Sequence, residues 1–137
     1  MSSPPRSRRS SFALIIGLYA IAVPLCIVTA ALIGTDHPIA ALIGGFAVSV
    51  AFLYIASQIV GNGSTFDAWW SVMPPAIAIW FAATNEASDS LRRWVLVGCA
   101  LAWGLRLTAN WSIGWPGLHH EDWRYQQLYR DLPMPRW

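Results

Sequence analysis

Polar and apolar residues fall along this chain in long blocks rather than short alternations. Phe12 to Gly34 is uncharged and almost wholly apolar. Ile39 to Val60 repeats the pattern, Val72 to Thr84 is a shorter run, and Leu91 to Trp111 is the fourth. About 20 apolar residues cross the roughly 30 Å hydrocarbon core of a bilayer as a helix, so the blocks predict four membrane-spanning helices. The third reaches that length only when counted from Thr65, and Pro74-Pro75 interrupts it. A broken helix at membrane depth is tolerated against protein or a wet cavity, so this segment is expected to border a site. The first run has a competing reading as a signal sequence, because Val28-Thr29-Ala30 resembles a small-residue cleavage site. It is, however, longer than the usual signal core of about 7–15 residues.

Composition sharpens the pattern into a class. Of 137 residues, 55% are hydrophobic and only 12% charged, against roughly 25% charged in soluble domains. Nine tryptophans suit the interfacial belts of a membrane protein. The expectation is an all-α polytopic membrane protein with four transmembrane helices, the third short and Pro-broken. Residues 1–11 read as a disordered basic tail, 12–111 as the transmembrane region and 112–137 as a juxtamembrane segment, leaving no room for a separate soluble domain. Every basic residue is Arg. Arg6, Arg8 and Arg9 precede the first run and Arg124, Arg130 and Arg136 follow the fourth, while Arg92 and Arg93 mark the opposite side. The positive-inside rule then makes both termini cytoplasmic, in a multi-pass protein of the cell inner membrane. The loop around Asn62 and the segment after Asn110 fall on that same face.

Within the blocks, Ala41, Gly45 and Ser49 form a small-xxx-small stripe that lets helices approach closely, a candidate surface for self-association. Tyr54, Ser57, Gln58 and Gly61 share another face, which lines a cavity or hydrogen-bonds to a neighbouring helix. Ser64-Thr65-Phe66-Asp67 fits a capping pattern, with Ser64 as cap of a helix starting at Thr65. The stretch admits two readings: satisfied amides at a helix start, or a recognition loop in which Asp67 suits ribose or an amide better than phosphate. Cys99, Trp103, Arg106 and Asn110 recur on one face of the fourth run. An ionisable residue there faces a bundle interior or cavity, or snorkels from a helix end. Past Gly114, Pro116 and Gly117 comes a dense polar cluster, Glu121-Asp122-Trp123-Arg124-Tyr125. His119 to Asp122 holds four possible ligands but lacks metal-site spacing, so no metal is expected. The scattered arginines form no nucleic-acid patch. Cys26 and Cys99 lie in apolar runs and suggest no disulfide framework.

Three patterns occur here in order: N-x-S-x-x-D-x-x-W from Asn62 to Trp70, W-x-x-R-L-x-x-N from Trp103 to Asn110, and E-D-W-R-Y from Glu121 to Tyr125. With them the chain resembles bacterial membrane proteins of unknown function allied to steroid 5-alpha-reductases, in the wider group that includes isoprenylcysteine carboxyl methyltransferases. The resemblance covers nearly everything beyond the first run. It implies NADPH-dependent reduction of a C=C bond in a lipophilic small molecule. Arg106 and Asn110 would hold phosphate or amide groups and Trp69 would keep a cofactor-facing position. Asn62 and Asp67 would orient ribose or nicotinamide, and Glu121, Asp122, Arg124 and Tyr125 would close the cytoplasmic mouth. Family members are about twice as long, so the chain reads as an N-terminal half that is inactive alone, completed by a C-terminal half or a second chain. Where steroid reductases carry a substrate-polarising Gln-Glu pair and a Tyr, this sequence has Val72, Met73 and Trp103, so no catalytic residue is assigned. The alternatives are an S-adenosylmethionine-dependent membrane methyltransferase and a non-catalytic membrane subunit.

Overall fold

The computed structural model describes residues 7–34, 36–84 and 89–131. Regular structure among them is entirely helical: α1 (Arg8–Ile33), α2 (Pro38–Val60), a 3₁₀ turn (Gly63–Phe66), α3 (Trp69–Thr84), α4 (Ser90–Gly114) and α5 (Trp123–Asp131). By length and composition, α1 and α2 are long and apolar enough to cross a membrane. α3 has 16 residues, about 24 Å of helix, and α4 carries Arg92, Arg93 and Arg106. α1 starts earlier than its apolar run: Arg8–Ser11, expected in the tail, form its first turn. Ser7 is the reason, because its Oγ accepts the Ser10 N–H at 3.2 Å and caps the helix. The rest of the expected tail, residues 1–6, lies outside the described residues.

α1 and α2 pack as an antiparallel hairpin around small side chains. Ile15, Tyr19, Ala22, Cys26 and Ala30 face inward from α1, and Ala41, Gly45, Ser49 and Leu53 from α2. A Cβ on Gly45 would lie 2.5 Å from the Cys26 carbonyl oxygen, so the backbones themselves touch. The stripe at Ala41, Gly45 and Ser49 is thus buried within the hairpin. This corrects the expectation of self-association through it, because α1 already fills the groove the small residues open.

α3 and α4 form the second hairpin. Pro74 and Pro75 do not break α3, which runs unbroken from Trp69 to Thr84. Their missing N–H groups remove the helical bonds to the Trp70 and Ser71 carbonyls, and α4 packs at that spot. A Cβ on Gly104 would lie 2.5 Å from the Ser71 oxygen and 2.6 Å from Pro75 Cγ. Ser71 Oγ and Thr108 Oγ1, 2.8 Å apart, bond beside it. At the far end Arg93 donates to the Ala82 carbonyl at 3.1 Å. The hairpins meet through Tyr19, Trp69 and Met73, all buried; Trp69 lies edge-on to Tyr19. Away from α3 and its C-terminal end, α4 is open: Trp94, Val95, Trp103 and Leu105 are exposed apolar side chains, and Arg106 is exposed among them.

Candidate functional site

The loop around Asn62 and the segment after Asn110 come together where the start of α1, the α2–α3 connection and the end of α4 converge. Gly61 ends α2 at φ +71°, a left-handed conformation that suits glycine. Asn62 follows and caps the 3₁₀ turn: its Oδ1 accepts the Ser64 N–H at 2.8 Å. This replaces the expected Ser64 cap, because Asn62 is the residue in extended conformation just before the turn. The same side chain donates through Nδ2 to the Leu118 and His120 carbonyls at 3.0 and 3.2 Å. Buried and fully engaged, Asn62 is a strut between the α2–α3 connection and the segment after α4.

Further bonds fix that segment. The Gly63 N–H donates to Glu121 Oε1 at 2.9 Å, and the Asp122 N–H to Ser64 Oγ at 2.9 Å. Tyr125 lays its ring against Gly63, where a Cβ would come within 2.7 Å, and donates its hydroxyl to Asp67 Oδ1 at 2.9 Å. α1 closes the other side. Arg8 donates to the Ser112, Ile113 and Trp115 carbonyls at the end of α4, a cation on the negative end of a helix dipole. Ser11 Oγ accepts the Leu118 N–H at 3.1 Å.

These contacts frame an open cleft of about 380 Å³ lined by Ser64, Asp67, Asn110, Asp122 and Arg124, with Trp111 and Trp115 among its other walls. The two indoles stack at 4.7 Å, and Phe12 of α1 meets both edge-on. Arg124 is engaged with Asp122, Nε to Oδ1 at 2.8 Å and one terminal nitrogen to Oδ2 at 3.1 Å, and lies 3.7 Å from Asp67. Burial pushes the Asp67 carboxyl above its ordinary range, against the opposing pull of the Tyr125 hydrogen bond and the Arg124 charge. Hydrogen bonds from Arg124 hold Asp122 below that range. Burial, then the Asp67 charge, raise the Tyr125 phenol.

The two carboxyls give the folded protein opposite pH dependences. Burial in the fold raises Asp67, so its contribution to stability is full below the ordinary carboxylate value, about 3.9, and is lost as pH rises through the raised value. Asp122, held low by Arg124, contributes above about 3.9 and loses that contribution as pH falls through its lowered value. Thermal unfolding in one detergent should therefore show greater stability at mildly acidic pH than at neutrality, and less again in strong acid. In Asp67→Asn the decline towards neutrality should vanish; a decline of the same size there would contradict the assignment.

Of the residues singled out in the sequence, Asp67, Asn110, Asp122 and Arg124 line the cleft, while Asn62, Glu121 and Tyr125 brace it. Trp69 is fully buried in the core beneath, away from the cleft wall. Arg106 is exposed on α4 one helical turn from Asn110 and does not line the cleft. Sequence reasoning passed over Trp111 and Trp115, whose i, i+4 spacing already put them on one side, and Arg8 and Ser11, whose partners lie more than a hundred residues away. Among the described residues no group of His, Cys, Asp or Glu is arranged to hold a metal ion.

A model of the family described as Protein of unknown function (DUF1295) matches residues 53–136. The match spans more than half of the chain, and the chain belongs to that family. No curated protein and no solved structure matches it.

Proposed function

We propose that this chain forms part of a membrane-embedded reductase allied to steroid 5-alpha-reductases. A reduced nicotinamide dinucleotide enters at the cytoplasmic face and a lipophilic substrate arrives from the bilayer. One observation carries the reading: Asp67, Asn110, Asp122 and Arg124, from three separate segments, line one cleft walled by Trp111 and Trp115. Carboxylates and a side-chain amide suit the hydroxyls and carboxamide of a nicotinamide nucleotide. Arg106, one turn further along α4, supplies a cation for its pyrophosphate. The resemblance implies NADPH as the form of the cofactor. When bound it would supply hydride to a C=C bond, while the chain holds and orients it.

A second observation favours a partner. By insertion scales, an arginine facing lipid costs up to about 2.5–3.5 kcal/mol at mid-bilayer and less near the interface, and Arg106 is exposed on α4 among Trp103 and Leu105, about one turn from the end of the apolar run. A further helical segment, from a C-terminal half or a second chain, would cover that face and complete the pocket. It would also bring the substrate-polarising groups that Val72, Met73 and Trp103 do not provide.

Binding separates the candidates. The purified chain in lipid nanodiscs should bind reduced dinucleotide and not S-adenosylmethionine, as read by thermal shift, and should turn over no lipophilic enone alone. Arg106→Leu should weaken dinucleotide binding about tenfold or more, the scale of one lost charge-assisted hydrogen bond. Binding of S-adenosylmethionine would favour the methyltransferase alternative, binding of neither a non-catalytic subunit. Unchanged affinity in Arg106→Leu would make that residue an interfacial anchor only.

A further inference from the structure

We infer that the first turn of α1, residues 8–12, is a clasp: it docks on the end of α4 and lifts off as a unit, covering and uncovering the indole pair Trp111–Trp115. The clasp works in the same way whatever the cleft binds.

The turn is held from across the chain more than by its own helix. Arg8 and Arg9 lie in the first turn of α1, which contains no acidic residue, and cations are disfavoured at the positive end of a helix dipole. Docking reverses the sign for Arg8. Its Nε donates to the Trp115 carbonyl at 3.0 Å, and one terminal nitrogen donates to the Ser112 and Ile113 carbonyls at 2.7 and 3.2 Å. The same charge now meets the negative end of α4. Ser11 Oγ accepts the Leu118 N–H at 3.1 Å. A Cβ on Gly117 would lie 3.2 Å from that oxygen and 3.4 Å from Arg8 Cα, so the turn rests directly on this segment. The buried hydrophobic residues of α1 begin only at Ile15. Undocked, the turn keeps its local bonds to Ser7 and loses every partner on α4, so its helical structure and its docking are coupled.

The docked state also carries a cost. Phe12 meets Trp115 at 5.0 Å and Trp111 at 5.8 Å, both edge-on, and the two indoles stack at 4.7 Å. Nε1 of each indole is buried with no hydrogen-bond acceptor among the described residues. A buried donor left unpaired is unfavourable, and lifting Phe12 away opens one side of the pair to water or to an acceptor on a ligand. The dipole of α1 and the two unpaired N–H groups therefore oppose docking, while the bonds of Arg8 and Ser11 favour it. Asn62 holds the segment after α4 from the other side, through the Leu118 and His120 carbonyls, so the turn of α1 is the part that moves. Trp111 and Trp115 wall the cleft, and the clasp sets how far they are open to it.

Reversing the charge of Arg8 tests this in the full chain in lipid nanodiscs. A glutamate suits the start of α1 and opposes the end of α4, so the two effects separate. Local opening is read by amide exchange. In Arg8→Ala and Arg8→Glu the amides of 111–118 should exchange about tenfold faster or more, the scale of a lost charge-assisted bond, with Arg8→Lys in between. Amides around Cys26 and Gly45 should keep the parent rates. Acrylamide should quench an added part of the tryptophan fluorescence in Arg8→Ala and Arg8→Glu. Parent-like exchange of 111–118 in Arg8→Glu would overturn the inference. So would faster exchange spread evenly over both hairpins, which would make Arg8 a general stability contact. Faster exchange of 111–118 without added quenching would overturn it too, since the indoles would then stay covered.

Discussion

Gly104→Ala should loosen α4 from α3 and cost about 2–3 kcal/mol, although alanine is the better helix former by about 1 kcal/mol. The added methyl would sit 2.5 Å from the Ser71 carbonyl oxygen and 2.6 Å from Pro75 Cγ. Neither can swing aside, one being backbone and the other a closed ring, so the helices must separate. Separation also stretches the Ser71–Thr108 hydrogen bond, now 2.8 Å, typically worth about 1 kcal/mol. Gly98 on the same helix is the matched control, because nothing lies within 4 Å of a Cβ there; Gly98→Ala should be neutral or slightly stabilising. Gly45→Ala should resemble Gly104→Ala, since its methyl would meet the Cys26 carbonyl oxygen at 2.5 Å. Thermal unfolding in one detergent ranks all three. If Gly104→Ala melts with Gly98→Ala, α4 does not dock at the Ser71–Pro75 notch.

The four helices α1 to α4 were legible because long apolar runs are a coarse signal that survives errors of several residues at each end. What filled each surface was not. The spacing of Ala41, Gly45 and Ser49 announces a groove but does not name its occupant, and α1, joined by a short turn, reaches it before any second copy can. Pro74-Pro75 reads as a break because proline removes helical hydrogen bonds. The sequence does not disclose that α4 lays Gly104 against one of the carbonyls so freed, and the helix continues through both prolines. Periodicity put Trp103, Arg106 and Asn110 on one face correctly, yet periodicity fixes relative direction only, and that face is the exposed one. In the site, Asp67, Glu121, Asp122 and Tyr125 stood out because polar clusters between apolar blocks are few. Their division of labour did not, since it depends on which carbonyls and amides lie opposite. The contacts of Arg8 and Ser11 with the end of α4 join the two extremes of the chain and leave no local trace.

Asn62→Ala should undo the end of the bundle that carries the cleft. Three bonds go at once: the cap on the Ser64 N–H and the two donations to the Leu118 and His120 carbonyls. A lost cap costs about 0.5–2 kcal/mol, and a buried group left unpaired about 1–3 kcal/mol. The Ser64 amide is buried, whereas the His120 residue is exposed enough for water to replace part of its loss. A net penalty of about 3 kcal/mol follows. It should fall on one end of the molecule, because the α1–α2 hairpin contacts at Gly45 and Cys26 lie elsewhere on those helices. Asn62→Asp separates the two jobs of the side chain. An aspartate still caps Ser64 but presents oxygen, not N–H, to the Leu118 and His120 carbonyls, so it should unlatch the segment 115–122 while leaving the 3₁₀ turn in place. Hydrogen exchange resolves this: Asn62→Ala should expose both the 62–67 and the 115–125 amides, Asn62→Asp mainly the latter. Equal protection of 115–125 in Asn62→Asp and the parent would show that Glu121, Asp122 and Tyr125 hold the segment without the strut.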